Sequence, residues 1–140
     1  MKPFLLVFSA LWILGDSAEL AAAERWVVVG QTDKVVVYID VQSITVKDGF
    51  RQAWEKWEYA QERPAPLTTA NRPYRTARYL TSYDCKQRAA GELQAMYFDA
   101  SGEVIGKVAG KDVSSSLVVP GLLSESALDF VCKAKLRRKP

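Results

Sequence analysis

The side chains best suited to chemistry are two cysteines, Cys85 and Cys132, in a chain of 140 residues that contains no histidine. A cysteine nucleophile needs a neighbouring base, usually histidine, so the composition disfavours thiol catalysis. Two cysteines alone also cannot complete the tetrahedral shell of a structural zinc ion. We therefore expect no catalytic cysteine, no metal site and no cofactor.

Carboxylates are the other candidates for chemistry. Glu55 with Glu58, or Asp84 with Glu92, supply the residue type that glycoside hydrolases use as acid and base. Cross-strand charge pairs on a solvated sheet face explain them better, because basic residues alternate with them along the chain: Lys56, Lys86 and Arg88. The sequence also lacks a glycine-rich phosphate loop and a serine in a recognisable nucleophile turn. We predict that the protein is not an enzyme.

Residues 1–23 have the layout of a secretory signal peptide. Lys2 precedes an apolar run over residues 4–14, and small residues lead to an A-x-A site that ends at Ala23. The run is shorter than the about 20 residues that a membrane-spanning helix needs. No cysteine stands near the site to carry a lipid. We expect residues 24–140 to form a single exported domain, periplasmic or secreted, without stable membrane insertion or a lipid anchor.

The net charge bears on the class of partner, and the expected export bears on whether the cysteines are oxidised. The net charge of +3 is mild, and part of it comes from the basic C-terminal segment, residues 133–140. Such a tail is usually solvated, so we expect no nucleic-acid partner. In an oxidising compartment two cysteines usually pair, which favours a bridge between Cys85 and Cys132. Two buried free thiols and an intermolecular link are the alternatives.

Hydrophobic periodicity predicts several strands followed by one helix. Residues 50–61, FRQAWEKWEYAQ, fit a helix by spacing and a strand by their aromatic content and the preceding Asp-Gly. The strand segments lie at residues 25–30, 35–41, 43–49, 74–85, 92–99 and 103–110.

The last element is predicted to be a helix after Gly121. Ser124 is placed to cap it, and basic residues gather at its end, which suits the helix dipole. Its apolar stripe places Cys132 toward the core. The stripe comprises Leu128, Val131, Cys132 and Leu136.

Residues 62–73, ERPAPLTTANRP, are predicted to be a loop because they contain three prolines and show no periodicity. Loops of this length in compact domains are often functional. We hypothesise a partner-binding surface here that uses Arg63, Arg72 and Arg75, with Tyr59 and Tyr74 bracketing the loop. The alternative is a solvated connection with no special role.

Five segments in order resemble the surface-adhesin protein E family of Gram-negative bacteria over roughly residues 26–133. They are VVVYIDVQSI, GFRQAWEKW, YDCKQR, FDASGEVIG and VPG…ALDFVCK. The resemblance implies an α+β fold, in which an antiparallel sheet of about six strands packs against a C-terminal helix. It also implies a bridge between Cys85 and Cys132, and a strand at residues 50–61.

The resemblance carries a functional expectation as well. Studied members are outer-membrane lipoproteins that bind host matrix and serum proteins. It therefore implies a non-catalytic binding module whose partner is a host matrix or serum protein or a bacterial envelope protein. The alternative is a periplasmic accessory or structural envelope protein with no adhesin role. This chain lacks the lipidation cysteine of those members, and no ligand-contacting residue is carried over from them.

We predict that the exported protein begins at Glu24, because the A-x-A site ends at Ala23. The intact mass of exported material measures this directly. A mass that retains the apolar run, or that includes acyl chains, would contradict the prediction of a cleaved and unanchored protein.

Overall fold

The computed structural model describes residues 25–64, 70–110 and 115–136. The predicted signal peptide, the middle of the predicted loop and the end of the basic tail lie outside these residues. The described elements are β1 (Trp26–Gln31), β2 (Val35–Asp40), a 3-10 turn (Val41–Ser43), β3 (Thr45–Lys47), β4 (Phe50–Arg63), β5 (Tyr74–Asp84), β6 (Ala89–Phe98), β7 (Val104–Ala109), β8 (Ser116–Leu117) and α1 (Leu123–Lys133).

The strands form one antiparallel sheet in the order β1-β2-β4-β5-β6-β7. Two short strands extend it, because β3 pairs with β4 and β8 pairs with β6. The α+β prediction is thus confirmed, and the sheet has eight strands where about six were expected. Residues 50–61 lie within β4, so the strand alternative for that segment is correct.

The turn before β4 explains why this segment is a strand. Asp48 and Gly49 both have positive φ, 52° and 82°, and Lys47 pairs directly with Phe50. A two-residue turn of this kind matches the twist of a hairpin and leads the chain straight into an antiparallel strand. Aromatic residues then favour the extended state that the hairpin has begun.

Several strand boundaries differ from the predictions. Strand β6 begins at Ala89 and not at residue 92, and only Thr45–Lys47 of the predicted segment 43–49 forms a strand. Val41 was expected to continue the alternation of β2, but the 3-10 turn begins at this residue. The Asp40 carboxylate accepts a hydrogen bond from the Gln42 N–H at 3.1 Å, and this contact turns the chain. At its other end β4 continues through Arg63, so the predicted loop begins two residues later than expected.

Helix α1 lies on the sheet face formed by the odd-numbered residues of β2, β4 and β5. Its buried side chains pack against that face in one cluster of six residues that are at most 1% exposed: Ile39, Ala53, Tyr83, Ala127, Leu128 and Val131. The helix also approaches β1 so closely that a Cβ at Gly30 would lie 2.8 Å from Leu123 Cδ2. The face that meets the helix is therefore fixed by the parity of the strands.

The ends of α1 differ in detail from the prediction. Its N-cap is Leu122, which makes no side-chain cap bond, and Ser124 lies inside the helix. Instead the Glu125 carboxylate accepts a hydrogen bond from the Gly121 N–H at 2.6 Å. Leu136 lies beyond the last helical residue and is 42% exposed, so it is not part of the buried stripe.

A disulfide joins Cys85 to Cys132, with a Cα–Cα distance of 5.7 Å. Cys85 follows the last residue of β5, and Cys132 lies in the last turn of α1, so the bridge fastens the helix to the sheet. Arg51 ties down the same end of the helix, because its Nη1 donates hydrogen bonds to the carbonyls of Val131 and Ala134 at 2.7 and 2.6 Å.

We predict that the Cys85→Ser/Cys132→Ser double variant unfolds about 15 °C below the wild type. The bridge spans a sequence separation of 47 residues, and closing a loop of that length in the unfolded chain is worth about 4 kcal/mol in the chain-entropy model. Thermal unfolding followed by circular dichroism measures the shift. An unchanged melting temperature would show that Arg51 and the buried helix face hold α1 without the bridge.

Candidate functional site

A cavity of about 680 Å³ lies on the same sheet face as α1, beyond the part that the helix covers. Strands β4, β5 and β6 form its base, and residues 116–119 with Ser124 form its other side. Parity explains its position: along β4, Ala53 points into the helix-covered core, and Glu55, Trp57 and Tyr59 then follow on the same face.

Aromatic rings line one side of this cavity, which we call the aromatic cavity. Trp57 and Tyr79 meet edge to face with their centroids 6.5 Å apart, and Tyr79 meets Tyr97 in the same way at 6.4 Å. Tyr74 links Tyr97 to Tyr59, with centroid distances of 4.9 and 5.8 Å. Each such pair is worth about 0.5–1.5 kcal/mol beyond its buried area. The rings therefore support one another and hold a rigid shape.

A buried carboxylate, Glu55, positions the aromatic wall. The Glu55 side chain accepts a hydrogen bond from Trp57 Nε1 at 2.7 Å and another from the Tyr83 hydroxyl. Burial, followed by the Glu55 charge, raises the pKa of Tyr83 well above its ordinary value. The Thr81 hydroxyl offsets part of that rise, yet no group meets hydrogen-bond geometry with Thr81 Oγ1. Glu55 is thus not the solvated residue that the sequence suggested.

A second carboxylate, Glu92, lines the same cavity from β6. Desolvation, followed by the nearby Glu55 charge, raises its pKa. Among the described residues no lysine or arginine lies within 4.0 Å of either carboxylate. Desolvation also raises the pKa of the neighbouring phenols, to about 12 for Tyr59, so these hydroxyls stay protonated at neutral pH. The cavity therefore combines aromatic walls with two carboxylates that form no ion pair with any cation among the described residues.

Two of the three predicted binding arginines, Arg63 and Arg75, contact Tyr59. The Arg63 guanidinium lies over the Tyr59 ring, 5.3 Å from its centroid. Arg75 donates hydrogen bonds to the Tyr59 and Ala60 carbonyls at 3.0 and 2.9 Å. Arg72 forms an ion pair with Asp99 at 2.6 Å. Arg63 and Arg75 thus contact Tyr59, which lines the aromatic cavity, whereas Arg72 contacts the start of the β6–β7 turn, and none of the three lines the cavity itself.

The tyrosines that bracket the predicted loop do not contribute equally. Tyr59 lines the cavity, whereas Tyr74 is only 9% exposed and belongs to the core. Residues 65–69 of the loop lie outside the described residues.

The other carboxylates have separate roles. Asp84 caps the turn after β5 by accepting hydrogen bonds from the Lys86 and Gln87 N–H groups. Arg88 reaches α1, where it pairs with Asp129 at 2.9 Å and with Glu125 at 3.3 Å. The expected cross-strand charge pairs are therefore wrong for these residues, since their partners lie in the turn and on the helix.

On the opposite sheet face, Glu58 pairs with Lys56 of the same strand at 2.7 Å. Lys56 stands directly opposite Arg78 on β5, an arrangement of like charges that is normally destabilising. The Trp26 ring lies 5.3 Å from Lys56 Nζ and 5.5 Å from the Arg78 guanidinium carbon, within cation–π range of both. We infer that the shared aromatic contact and Glu58 compensate the repulsion.

Comparison with known proteins identifies the family. A family model described as surface-adhesin protein E matches residues 26–133. The chain belongs to the surface-adhesin protein E family. This confirms the resemblance that the order of the sequence segments indicated. No protein of curated function matches the chain.

Solved structures of Haemophilus influenzae protein E share the fold of this family member. One is 15% identical, covers 77% of this chain and 83% of its own, and has a TM-score of 0.53. A second crystal form is 18% identical, covers 69% of this chain and 79% of its own, and has a TM-score of 0.49. At these identities the first likeness establishes a common fold and nothing about ligands.

Two further observations concern the described part of the chain. It contains no helix long and apolar enough to cross a membrane. It also contains no cluster of three or more carboxylate or cysteine side chains that could hold a metal ion.

Sequence reasoning considered Glu55 and Glu92 separately and did not bring them together with Trp57 and Tyr79. The signal was present in part, because odd-numbered aromatic residues in two strands share a face if the strands are in register. The register itself, Glu55 opposite Tyr79 and Thr81 opposite Glu92 after a bulge, is visible only in the folded sheet.

We predict that Glu92→Gln stabilises the fold at neutral pH. The folded-state pKa of Glu92 is raised, so the folded chain holds the proton more tightly than the unfolded chain does. The stability that protonated Glu92 contributes is present below its pKa in the unfolded chain, about 4.3, and is lost as pH rises through its pKa in the folded chain. The gain in melting temperature over the wild type should therefore be largest at neutral pH and vanish near pH 4.

Asp33→Asn is the matched control, because it removes one carboxylate charge from an exposed residue in the β1–β2 turn. Melting curves of both variants and the wild type across pH 4–8 make the comparison. A Glu92→Gln variant that is less stable than the wild type at neutral pH would contradict the unfavourable placement of this charge.

Proposed function

We propose that the protein is an exported, non-catalytic binding module that holds a protein partner at the aromatic cavity and at the neighbouring arginines. Membership of the surface-adhesin protein E family supports a binding role. It also supports two classes of partner, a host matrix or serum protein and a bacterial envelope protein. In this proposal residues 1–23 direct export, and residues 24–140 form the binding domain.

The observation that carries this proposal is the aromatic wall of the cavity. Trp57, Tyr59 and Tyr79 present ring surface toward about 680 Å³ of open space instead of completing the core. Aromatic residues are enriched at protein interfaces, where they give a large contact area for little loss of conformational freedom. Their mutual contacts and the hydrogen bond from Trp57 to Glu55 hold the wall in place before a partner arrives. Such preorganisation lowers the entropy cost of binding.

Arg63, Arg72 and Arg75 extend the proposed site beyond the cavity. All three residues are exposed, and Arg63 lies closest to the cavity through its contact with Tyr59. We assign Arg63 the main contact with acidic groups of the partner. Arg72 and Arg75 already bind Asp99 and the β4 backbone, so their larger contribution is to hold this edge of the sheet in shape.

The placement of Glu55 and Glu58, one of the two carboxylate pairs considered for hydrolysis, supports a non-catalytic role. Glu55 and Glu58 have opposite parity on β4 and therefore face opposite sides of the sheet. Glu55 accepts hydrogen bonds from Trp57 and Tyr83, so its immediate role is to position a wall of the cavity.

We predict that partner binding depends on Tyr79 and Arg63. Residues 24–140 would be immobilised, and purified matrix proteins, serum proteins and envelope proteins would be passed over the surface. For a partner that binds, Tyr79→Ala should weaken affinity about tenfold or more, as expected for an aromatic residue at the centre of an interface. Arg63→Ala should weaken it less, and added salt should weaken the wild-type interaction, because exposed charges are screened within about 8 Å at physiological ionic strength.

The matched control is Lys107→Ala. Lys107 is an exposed cation on β7 that pairs with Met96 of β6, and both side chains lie on the sheet face away from the aromatic cavity. It should leave the affinity unchanged. Circular dichroism would verify that each variant is folded. Unchanged affinity for both Tyr79→Ala and Arg63→Ala would place the binding surface elsewhere on the protein.

A further inference from the structure

The carboxylates in the aromatic cavity call for a more specific ligand than a protein partner in general. Glu55 is 7% exposed, and Glu92 lies across from it on the same face. Glu55 lies on β4 and Glu92 on β6, the two strands that flank β5. Their charges repel each other across one cavity, and this arrangement is unfavourable unless a cation joins them. No cation among the described residues does so.

The aromatic walls are suited to the same kind of ligand. Ring faces attract ammonium and guanidinium groups, and the attraction grows when the cation is removed from water. The protein provides an internal example, because the Arg63 guanidinium already lies over the Tyr59 ring that lines the cavity. A cation that enters the cavity would meet the ring surface of the wall and the oxygens of the carboxylates that line the same cavity.

A third feature is a buried hydroxyl group. Thr81 lines the cavity and is only 4% exposed, and among the described residues no group meets hydrogen-bond geometry with its Oγ1, although the hydroxyl lies close enough to Tyr83 to lower the pKa of that phenol. Buried hydroxyl groups are usually bonded, so an unpaired one inside a cavity indicates a place where a donor can be received. Lysine and arginine side chains carry only donors, and both the Thr81 hydroxyl and the two carboxylates can accept from them.

We propose that the aromatic cavity receives a lysine or arginine side chain of the partner, with its charge between Glu92 and Glu55 and its stem against the aromatic wall. The proposal rests on the proposed function for the source of that side chain, and it makes the cavity cation-selective. Glu92 is the more exposed carboxylate, so its side chain can move to meet the cation. The Glu55 side chain is held in place by hydrogen bonds from Trp57 and Tyr83. The neighbouring arginines would then meet acidic residues that flank the inserted cation.

The test uses small probes, so it does not depend on finding the partner. Nα-acetyl-L-arginine methylamide and the lysine equivalent would be titrated into ¹⁵N-labelled residues 24–140. The backbone amides of Gly91 and Glu92 and the Trp57 indole N–H report on the cavity. We expect saturable shifts of these signals with both cationic probes. The citrulline equivalent, which has nearly the shape of arginine without its charge, and the glutamate equivalent should cause little change.

Variants complete the design. Glu92→Gln should weaken binding of the arginine probe about threefold, in the range expected for one partly exposed charge pair, and Asp33→Asn should not. Tyr79→Leu, which keeps an apolar wall but removes the ring, should weaken it about two- to fivefold. Arg63→Ala should leave probe binding unchanged or improve it, because it frees a ring face.

Several results would overturn the inference. Equal shifts with the citrulline probe would show that the cavity binds shape and not charge. The absence of saturable shifts, shifts confined to other surfaces, or unchanged binding by Glu92→Gln would each exclude a cation site. The proposed function fails separately, if the arginine probe binds as expected but a partner's affinity is insensitive to Tyr79→Ala and Arg63→Ala.

Discussion

The register between β4 and β5 is the constraint on which the rest of the structure depends. Ala53 lies opposite Thr81, Glu55 opposite Tyr79 and Trp57 opposite Ala77. Because side chains alternate between the two faces of a strand, a slip of one residue would exchange the faces of the whole pair. The buried core, the aromatic cavity and the cationic residues of the other face would all be lost together.

Because these strands are long, α1 covers only part of one sheet face. The covered part forms the core, and the uncovered part forms the aromatic cavity. Helix α1 has 11 residues, which at about 1.5 Å per residue makes it roughly 16 Å long. Strand β4 has 14 residues, so at about 3.4 Å per residue it is roughly 48 Å long. Helix α1 crosses it between β1 and the end of β5, so it covers only part of the strand. The covered part carries small and aliphatic residues such as Ala53. The uncovered part carries aromatic residues, which give the rigid wall that a binding surface requires.

The C-terminal end of α1 is fastened to the sheet, which keeps the helix on the covered part of this face. The disulfide holds Cys132 beside the end of β5, and Arg51 binds the carbonyls of Val131 and Ala134. With its C-terminal end held in this way, α1 cannot slide along the sheet toward the open part of the same face. The bridge therefore contributes to the candidate site indirectly, by keeping the aromatic rings uncovered.

Strand alternation, the Asp48-Gly49 turn and the cysteine count determined much of the architecture from the sequence alone. The order of five short segments indicated the family, and the expected export of a chain with two cysteines favoured the pairing of Cys85 with Cys132. These features are local, or concern only two residues, so they need no knowledge of how strands align. The cap at Ser124 and the position of Leu136 were mispredicted, because packing against the sheet and the nearby disulfide set where the helix begins and ends.

The aromatic cavity was decided by tertiary structure. In the sequence, Glu55 and Glu92 lie on two strands with β5 between them. Basic residues occur near each of them, so the sequence assigned both to a solvated sheet face. Whether they converge depends on the register of β4 with β5 and on the bulge between β5 and β6. Period-two alternation tells which residues of one strand share a face, but it does not tell which residues of the next strand lie beside them. That information comes from the pairing of the strands, which is a property of the folded sheet.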